Sequence, residues 1–540
     1  MKIEDSLKQN LLSILNSLGF NDFSLNDIEV IVNKDKTHGD YSSNLALKFS
    51  KKVNKNPREF ANLIVSNFKS DDIEKLEIAG PGFINFFVKN NSISKVIDEV
   101  LTKKESYGNL DKKNITYNIE YVSANPTGDL HLGHARGAAL GDSISRILKK
   151  AGYNVIREYY INDAGAQVNN LAKSLKSRYL ELFNIKYEIP EDGYQGEDVI
   201  KIAKEFKELY GDKFVEIDDK NLNIFRDFGI KKELEKIKND LKEFRVEFDV
   251  FTSETDIRHK YDLNKLINDL SKYCYKQDGA LYLRTTDFLD DKDRPLIKSN
   301  GDYTYFLPDI IYHYDKIKRN ADFLIDVLGS DHHGYVNRLK SALMMLGFSK
   351  DILEVEMTQM VRIIKDGEEV KMSKRLGNAI KMRDLVNMVG VDACRYFFVS
   401  RSSNSHLDFD LGVALATNSS NPVYYAQYAY ARISRVLSTS DIELNNNYEL
   451  LDKDLEIDLM KTLSNYDKII SDASMERAPY KICNYIQELA SKIHEYYAKF
   501  KFNDKSQKLL SGARMSLLKA CSIVLKDALN LVGVSAPNEM

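Results

Sequence analysis

The segment from Tyr117 to Gly141 constrains this chain more than any other, because it reads as a strand, a short loop and the start of a helix. Hydrophobic residues alternate with polar ones from Ile115 to Val122, which is typical of a β-strand. Asn125-Pro126-Thr127-Gly128 then supplies residues that favour a turn. Asp129 is predicted to cap the following helix, whose apolar residues recur at helical spacing. A strand–loop–helix unit of this kind is typical of α/β folds.

The start of that helix carries His131 and His134, which are three residues apart and therefore share a face. Gly133 lies between them and has no side chain to obstruct a ring placed against the backbone. A helix N-terminus attracts phosphate, because its N–H groups are unpaired and its dipole is positive there. The glycine spacing differs from the dinucleotide-binding and P-loop patterns. The arrangement resembles the H-x-G-H site for ATP in class I aminoacyl-tRNA synthetases and related nucleotidylyltransferases.

Two other interpretations of the histidine pair stay open on this motif alone. One is that the imidazoles only cap or pack the helix start. The other is a zinc pair, which is disfavoured because no Cys or His lies at companion metal-site spacing. The four cysteines of the chain are scattered without C-x-x-C spacing, so neither a disulfide framework nor a zinc ribbon is indicated.

The composition excludes several classes of protein. A chain of 540 residues with 43% hydrophobic and 29% charged residues has enough material for several globular domains. It has no run of about 18 apolar residues and no signal-peptide core near its start, so we expect a cytoplasmic protein without a membrane partner. The formal net charge of −3 gives no general attraction to nucleic acid, so DNA is not expected and any RNA must be held by a local patch.

The order of patterns along the chain predicts three domains. Residues 1–110 read as a small N-terminal α/β domain. Residues 111–405 alternate strands and helices, which predicts a Rossmann-like, doubly wound parallel-sheet catalytic domain. A charged, helical stretch at about 167–280 is interpreted as an insertion between the halves of that sheet. Residues 406–540 are predicted to form a C-terminal all-α helical bundle. The fold class is therefore α/β with a helical C-terminal domain.

Polar residues follow three of the predicted strands. Glu120 lies near the end of the first, Asp309 follows an aromatic run from Asp302, and His332 follows the apolar strand Phe323–Gly329. In open α/β sheets, ligands collect at the carboxyl ends of the strands. We therefore expect these three side chains to converge on one site.

A second candidate element for phosphate chemistry is the loop Lys371–Asn378, which follows a probable hairpin over Val361–Val370. Two ammonium groups on a loop of small residues can follow a triphosphate and neutralise the charge that builds on departing pyrophosphate. Basic loops are common, so this loop is weak evidence alone. Together with the H-x-G-H motif, in this order, it is strong evidence for ATP chemistry.

The C-terminal region segregates its charge. Residues 476–526 carry ten Lys or Arg against four Asp or Glu, interleaved with tyrosines. Basic residues with interleaved aromatic ones are typical of an RNA-binding surface. A packed bundle with mixed surface charges is the alternative, and these features alone do not separate the two.

Nearly the whole chain resembles the arginyl-tRNA synthetase family of class I. Glu120–His134 matches the extended first motif of that family, and Lys371–Arg375 matches its second. Gly80–Phe86 resembles part of its N-terminal domain. Asn421–Tyr430 and Asp527–Val534 resemble its helical anticodon-binding domain, in which the second segment often reads D-A-L-R. This chain has asparagine at position 530 instead.

The resemblance implies the reaction, the substrates and the partner. Arginine and ATP would form arginyl-adenylate and pyrophosphate, and the arginyl group would then pass to the 3′ end of tRNA(Arg). ATP is expected with Mg²⁺, although the sequence contains no dedicated metal cage. The N-terminal domain is expected to bind tRNA. No motif for self-association is visible in the sequence, so the chain is expected to be a monomer.

The same resemblance implies the site residues. Those expected to act in catalysis are His131, His134, Lys371 and Lys374. Those expected to bind ATP are Pro126, Thr127, Gly128, Leu130, His131, Gly133, His134, Met372, Ser373 and Lys374. Those expected to bind arginine are Glu120, Asn125, Tyr305, Asp309 and His332. Those expected to bind tRNA are Tyr424, Tyr428, Lys481, Tyr485 and Tyr496, and no metal ligands are predicted.

Within the arginine site, a guanidinium presents five donors in a planar fork and requires carboxylate or carbonyl acceptors. We assign Asp309 to the guanidinium, Glu120 to the α-ammonium and Asn125 to the carboxylate of arginine.

Four other functions are each compatible with part of the sequence. Asp331-His332-His333 matches the D-H-H motif of metal-dependent phosphoesterases, but the chain lacks their further metal-binding motifs. A small-molecule adenylyltransferase would not need the helical C-terminal domain. A non-catalytic RNA-binding relative should have lost the histidines or the lysine loop. A class I synthetase of another amino-acid specificity is the strongest competitor, because these motifs define the ATP chemistry better than the amino acid.

Overall fold

The N-terminal region is a small α/β unit, as predicted. The computed structural model describes residues 3–33, 35–370 and 380–540. The elements of the first region are α1 (Ile3–Ser17), β1 (Ile31–Val32), β2 (Tyr41–Ser43), α2 (Leu45–Phe49), α3 (Pro57–Asn67), β3 (Ile73–Ala79), β4 (Phe83–Val88), α4 (Asn90–Ile93) and α5 (Lys95–Lys103). The four strands form an antiparallel sheet in the order β1-β2-β4-β3.

The second region is built on a five-stranded parallel sheet. Its elements up to that sheet's fourth strand are β5 (Thr116–Glu120), α6 (Leu132–Lys150), β6 (Asn154–Ile161), α7 (Ala166–Glu181), α8 (Glu197–Tyr210), α9 (Leu222–Glu243), β7 (Val250–Ser253), α10 (Glu254–Lys260), α11 (Leu263–Asp269), β8 (Cys274–Gln277), β9 (Ala280–Leu283), β10 (Arg294–Ile297), α12 (Phe306–Lys318) and β11 (Phe323–Gly329). It continues with α13 (His333–Met345), β12 (Leu353–Thr358), β13 (Val361–Lys365), β14 (Glu368–Glu369), α14 (Met382–Val399), β15 (Leu407–Asp410) and α15 (Leu411–Leu415).

The order of the parallel sheet is β12-β11-β5-β6-β7. The strand that precedes the H-x-G-H helix is therefore central, and its neighbours β6 and β11 lie on either side of it. A central parallel strand is buried on both faces, which agrees with the enclosed side chains of β5. This position brings the ends of three strands to one edge of the sheet, as ligand sites in α/β folds require.

The predicted helical insertion at about 167–280 is shorter than expected. Its helices α7, α8 and α9 pack on one another around their own apolar core. The strand β7 then returns to the main sheet and pairs with β6 from Glu158 to Ile161. The pair β8 and β9 joins β10 in a separate antiparallel sheet. Sequence periodicity gave no sign of β7, because a four-residue edge strand is too short to show alternation.

The structure also corrects the prediction for the aromatic residues that precede Asp309. It was expected to lead into the end of a strand, but Phe306–Lys318 is helical and Asp309 lies in the first turn of α12. Pro308 is compatible with that turn, because the first N–H groups of a helix have no partner within it. Asp309 therefore approaches the sheet edge from a covering helix.

The C-terminal region is an all-α bundle, as predicted. Its helices are α16 (Pro422–Thr439), α17 (Asp454–Ser464), α18 (Tyr466–Met475), α19 (Pro479–Lys499) and α20 (Lys508–Leu531). The unusual Asn530 near the end of α20 accepts hydrogen bonds from Arg146 of α6, through its side-chain and backbone oxygens, both at 3.1 Å. The bundle is thereby attached to the helix that carries the histidine pair.

Among the helices that the structure describes, none is long and apolar enough to span a membrane.

Candidate active site

The carboxyl end of β5 leads into a strained turn. Val122 and Ser123 have positive φ angles of 70° and 38°, a conformation that a β-branched residue rarely adopts. The hydroxyl of Ser123 donates to Oε1 of Glu120 at 2.8 Å. The backbone N–H of Tyr160 in β6 donates to the same hydroxyl oxygen at 3.1 Å. The turn therefore fixes the Glu120 side chain at the edge of the sheet.

The N-cap of α6 is His131, whereas the sequence predicted Asp129. Nδ1 of His131 accepts from the backbone N–H groups of Gly133 and His134 at 3.1 and 3.4 Å. Nδ1 of His134 accepts in turn from the N–H of His131 at 3.3 Å. The two rings stack with their centroids 3.7 Å apart. An imidazole pair thus takes the place of the usual side chains of a capping box.

This pairing sets the protonation state of both histidines. Because each Nδ1 accepts an N–H bond, each ring must be neutral with its proton on Nε2. Burial and the neighbouring His131 also lower the pKa of His134 to about 3. A β-carbon on Gly133 would lie only 3.0 Å from Cε1 of His131, so a larger residue there would displace the ring from this stacked position. The site therefore presents two neutral Nε2–H donors at a helix N-terminus.

Asp129 has a different role from the one predicted. Its carboxylate accepts from Lys236 of α9 and from Lys381, both at 2.5 Å. The ammonium groups lower the pKa of Asp129 although its burial opposes the shift. Two charged partners stabilise a carboxylate more than backbone N–H groups do, which explains why Asp129 turns away from the helix.

The predicted lysine loop, Lys371–Asn378, lies outside the residues that the structure describes. Four of its expected site residues lie outside the described part of the chain: Lys371, Met372, Ser373 and Lys374. Just beyond it, Lys381 forms an antiparallel bridge with His131. The N–H of Met382 donates to the carbonyl oxygen of Leu130 at 2.7 Å. The chain that follows the loop therefore lies directly on the start of the histidine helix.

A cavity of about 510 Å³ opens at the carboxyl edge of the sheet. The predicted site residues that line it are Glu120, Asn125, His131, Gly133, His134 and His332. Its far wall is formed by Thr358, Gln359 and Met360. Arg136 of α6 fixes that wall by donating to the carbonyl oxygen of Gln359 at 2.7 Å. The structure thus brings residues predicted for ATP and for arginine to one cavity.

The remaining residues predicted for ATP lie between β5 and α6. Pro126, Thr127 and Gly128 form the turn there. The side chain of Leu130 is buried in the core, so only its backbone is available to a ligand.

Of the residues predicted to bind arginine, Asn125 lines the cavity and Tyr305 does not. Asn125 donates to Oε1 of Gln167 at 2.6 Å, so the start of α7 positions its amide. Tyr305 is 67% exposed and does not line the cavity in this conformation. Its hydroxyl lies near Gly165, which precedes α7. Contact between Tyr305 and bound arginine would therefore require its ring to move.

Asp309 is enclosed between α12 and α13. The hydroxyl of Tyr335 donates to its carboxyl. Burial raises the pKa of Asp309 to about 7, although nearby His313 opposes the shift. Tyr160 lines the cavity, and burial together with the charges of Glu254, Asp309 and Glu120 raises the pKa of its hydroxyl. Asp309 is thus close to the cavity and poised between its neutral and charged forms.

Two tyrosines predicted to bind tRNA lie inside the bundle. Tyr485 is 2% exposed and Tyr496 is fully buried. Their hydroxyls donate to the carbonyl oxygen of Thr462 and to Oε1 of Glu456. Side chains in these positions have no surface to offer RNA, so their assignment is corrected to packing of the bundle core.

Two other predicted tyrosines do reach the surface. Tyr424 and Tyr428 stack on α16 with their ring centroids 5.9 Å apart, and Tyr428 is 39% exposed. Arg432 lies over the ring of Tyr428 and, at 3.8 Å, over that of Tyr497. Lys481 lies elsewhere on the bundle and pairs with Glu476. Tyr428 borders a groove of about 920 Å³ that also contains Arg435 and Lys519.

The site also contains residues that sequence reasoning missed. Within the described part of the chain, Glu120, His313 and Asp326 hold possible metal-ligand atoms within 4.8 Å of one another. The ammonium of Lys316 already contacts both carboxylates, at 3.0 Å in the case of Asp326. The signal that could have revealed Lys316 is helical spacing, because positions 309, 313 and 316 share one face of a helix.

The fold and this site define a class of protein. The family model "tRNA synthetases class I (R), catalytic domain" matches residues 96–397. The models "Arginyl tRNA synthetase N terminal domain" and "DALR anticodon binding domain" match residues 2–88 and 426–540. A parallel sheet whose central strand leads into an H-x-G-H helix, followed by such a bundle, is that of a class I aminoacyl-tRNA synthetase.

The relatives identify the member of that class. The chain is 47% identical to "Arginine--tRNA ligase" of Bacillus subtilis over 551 residues, which cover 100% of this chain and 99% of the relative. It is 46% identical to "Arginine--tRNA ligase" of Listeria monocytogenes over 554 residues, with the same coverage. The chain therefore belongs to the arginine–tRNA ligase family.

A solved structure agrees in fold. "Thermus thermophilus arginyl-tRNA synthetase" superposes with a TM-score of 0.76 over 100% of both chains at 19% identity. The relatives and the family models confirm the predicted family and the arginine–tRNA ligase activity. The shared fold agrees with the predicted fold class.

Proposed function

We propose that both steps of the arginine–tRNA ligase reaction take place at the cavity beyond β5. The carboxylate of arginine would first attack the α-phosphate of ATP and release pyrophosphate. The arginyl group would then pass from the adenylate to a hydroxyl at the 3′ end of tRNA(Arg), which releases AMP. The observation that carries this proposal is that Glu120 and the stacked histidines line one cavity. The test is a charging assay with total tRNA and each amino acid, in which only arginine should be attached.

The chemistry needs little acid–base catalysis, because the main barrier is the charge that develops on phosphate oxygens. We assign the Nε2–H groups of His131 and His134 to donate to those oxygens, assisted by the dipole of α6. Lys371 and Lys374 are proposed to neutralise the departing pyrophosphate. The contact between Lys381 and His131 supports this role, because it anchors the chain just after the lysine loop beside the histidines.

For arginine, we propose that Asp309 binds the guanidinium, Glu120 the α-ammonium and Asn125 the carboxylate. The proposed roles of Tyr305 and His332 are to cover the bound side chain. These positions would hold the attacking carboxylate in line with the α-phosphate, which is the principal contribution of positioning to such a reaction. Mg²⁺ is proposed to enter with ATP as part of the substrate.

The pKa of Asp309 predicts how arginine binding depends on pH. Below about pH 7 the carboxyl of the free enzyme is mostly protonated, and a guanidinium binds best to the charged form. We therefore expect KM for arginine to fall as pH rises from 6 to 7, by at most about tenfold per unit, and to level off above pH 8. Pyrophosphate exchange at each pH measures this change. Asp309→Asn should abolish the dependence, whereas an unchanged slope in that variant would contradict the assignment.

We also propose that the groove beside Tyr428 contacts tRNA. It combines the exposed ring of Tyr428 with Arg432, Arg435 and Lys519, and such a combination can stack an unpaired base and hold phosphates. The N-terminal domain, residues 1–110, is proposed to bind tRNA as well. Residues 111–405 would be the catalytic domain and residues 406–540 the anticodon-binding domain. A cytoplasmic location and a monomeric state stay predictions.

A pair of tyrosine variants tests the groove. Tyr428→Ala removes an exposed ring and is expected to raise KM for tRNA by about 5- to 100-fold, the range for loss of one stacked base. Tyr485→Phe is the matched variant at a buried ring. It should lower thermal stability, because it removes a hydrogen bond within the core, but leave KM for tRNA unchanged. If both variants raised KM for tRNA equally, the groove would have no specific role.

A further inference from the structure

Three carboxylates lie side by side across the centre of the sheet. Glu120 of β5 is the register partner of Asp326 in β11 and of Glu158 in β6. Neighbouring strands are about 4.8 Å apart, so the three side chains share one face at close spacing. All three residues are buried. Like charges in this arrangement repel strongly and require cations between them.

Helix α12 and its C-cap residue, Arg319, supply those cations. Lys316 is fully buried and its ammonium contacts both Glu120 and Asp326. Arg319 donates to both oxygens of Glu158 at 2.7 and 2.9 Å. His313 has acceptors at both nitrogens, the carbonyl oxygen of Asp309 at 2.8 Å and Asp326 at 2.7 Å, so its ring is protonated. Each of the three carboxylates therefore has a cationic partner, and Arg319 also pairs with Asp315.

The contacts of Glu120 determine which side of its carboxylate a ligand can reach. One of its oxygens is held by Lys316 and the other by the Ser123 hydroxyl. A carboxylate has about four lone-pair positions, so two remain available. Because Glu120 also lines the cavity, those positions can face a ligand there. The Glu120 carboxylate can therefore bind the ammonium of Lys316 and, on its cavity side, a cationic group of a ligand.

We propose that Lys316 is a positioning residue for the substrate: its ammonium holds the Glu120 carboxylate in the orientation that binds the α-ammonium of arginine. This inference rests on the proposed role of Glu120. Lys316 does not itself contact arginine. It fixes the side chain that does, because it bridges Glu120 and Asp326 and offsets the repulsion that would otherwise drive the two carboxylates apart.

The primary test replaces Lys316 by methionine, which keeps much of the volume of the buried stem and removes the charge. KM for arginine in pyrophosphate exchange is expected to rise by about 10- to 100-fold, while KM for ATP stays within about twofold. Lys318→Met is the matched control, because it removes the same charge from the same helix at an exposed position beside Tyr314. It should leave both constants unchanged. A normal KM for arginine in Lys316→Met would overturn the proposal.

A substrate analogue separates positioning from general damage. Desamino-arginine keeps the guanidinium and the carboxylate but lacks the α-ammonium, so it cannot use Glu120. Its inhibition constant should be the same, within about twofold, in Lys316→Met and in the unmodified enzyme. If binding of the analogue weakened as much as that of arginine, the effect would be a collapse of the site and the proposal would fail.

A double variant guards against misfolding. Lys316→Met alone leaves a buried negative charge uncompensated, which destabilises the fold. Lys316→Met with Asp326→Asn removes one charge of each sign and should recover much of the loss in Tm. KM for arginine should nevertheless stay raised by about tenfold or more, because the Glu120 carboxylate still lacks the ammonium that positions it. Return of KM to normal together with Tm would show a purely structural role and refute the inference.

Glu120→Gln tests the proposed role of Glu120 separately from the inference about Lys316. If it leaves KM for arginine unchanged, the proposed role of Glu120 is wrong and the inference fails with it. If it raises KM but Lys316→Met does not, the role of Glu120 stands and only the inference on Lys316 is refuted. If both raise KM and the two effects do not add when combined, the residues act as one unit, as proposed.

Discussion

Replacing Asp309 by asparagine is expected to cost about 3–5 kcal/mol in kcat/KM for arginine, a loss of hundreds- to thousands-fold. The reason is that a guanidinium enclosed by protein requires a charged acceptor. Asparagine has nearly the same shape and can still accept from the hydroxyl of Tyr335, but it carries no charge. Pyrophosphate exchange at pH 8 measures the effect in the range where the native carboxyl is ionised.

The matched control for this variant is Asp302→Asn. Asp302 lies in an exposed turn before α12, where its carboxylate accepts from the side chain of Asn300 at 2.8 Å. That variant should keep normal kinetics for arginine. KM for ATP should be unchanged in both variants, because the histidine pair is intact. A near-normal kcat/KM for arginine in Asp309→Asn would exclude Asp309 as the guanidinium ligand.

The second large effect is expected at the histidine pair. His131→Asn should lower kcat about 100- to 1000-fold, the usual loss when one preorganised donor to a developing oxyanion is removed. Asparagine is a good N-cap, because its side-chain oxygen accepts from the N–H groups that Nδ1 of His131 binds here. The variant therefore removes the Nε2–H donor while the helix start stays capped.

His131→Ala completes the comparison. It removes the donor and the cap together, so it should match His131→Asn in kcat and lose a further 0.5–2 kcal/mol, roughly, in the free energy of unfolding. Single-turnover formation of the adenylate and thermal unfolding give the two measurements. Near-normal kcat in His131→Asn would mean that the imidazoles only cap the helix, the interpretation that the motif alone left open.

Local patterns predicted much of the architecture, because they depend on residues close in the chain. The apolar strand Phe323–Gly329 has the bounds that were predicted for it. The hairpin before the lysine loop is present as β13 and β14. Asn421 caps α16, with proline in its first turn. Periodicity and turn chemistry are sufficient for such elements.

Contacts between distant residues account for the corrections. Asp129 resembles an N-cap in sequence, but Lys236 and Lys381 neutralise it from other elements. The tyrosines of α19 resemble an RNA surface, but Tyr485 and Tyr496 face inward when the bundle packs. No local pattern reports which face of a helix a distant partner covers, so these assignments required the tertiary structure.

The sequence by itself determined the α/β class, the order of the domains and the presence of a histidine pair at a helix start. These follow from short-range periodicity and from a motif whose spacing defines one turn of helix. Only the tertiary structure decided which carboxylates stand side by side and which cation lies between them. Strand register and the docking of α12 bring Glu120, Asp326 and Lys316 together from positions up to 206 residues apart. Burial then gives those contacts their energy, because a charge that is removed from water must be balanced by its neighbours.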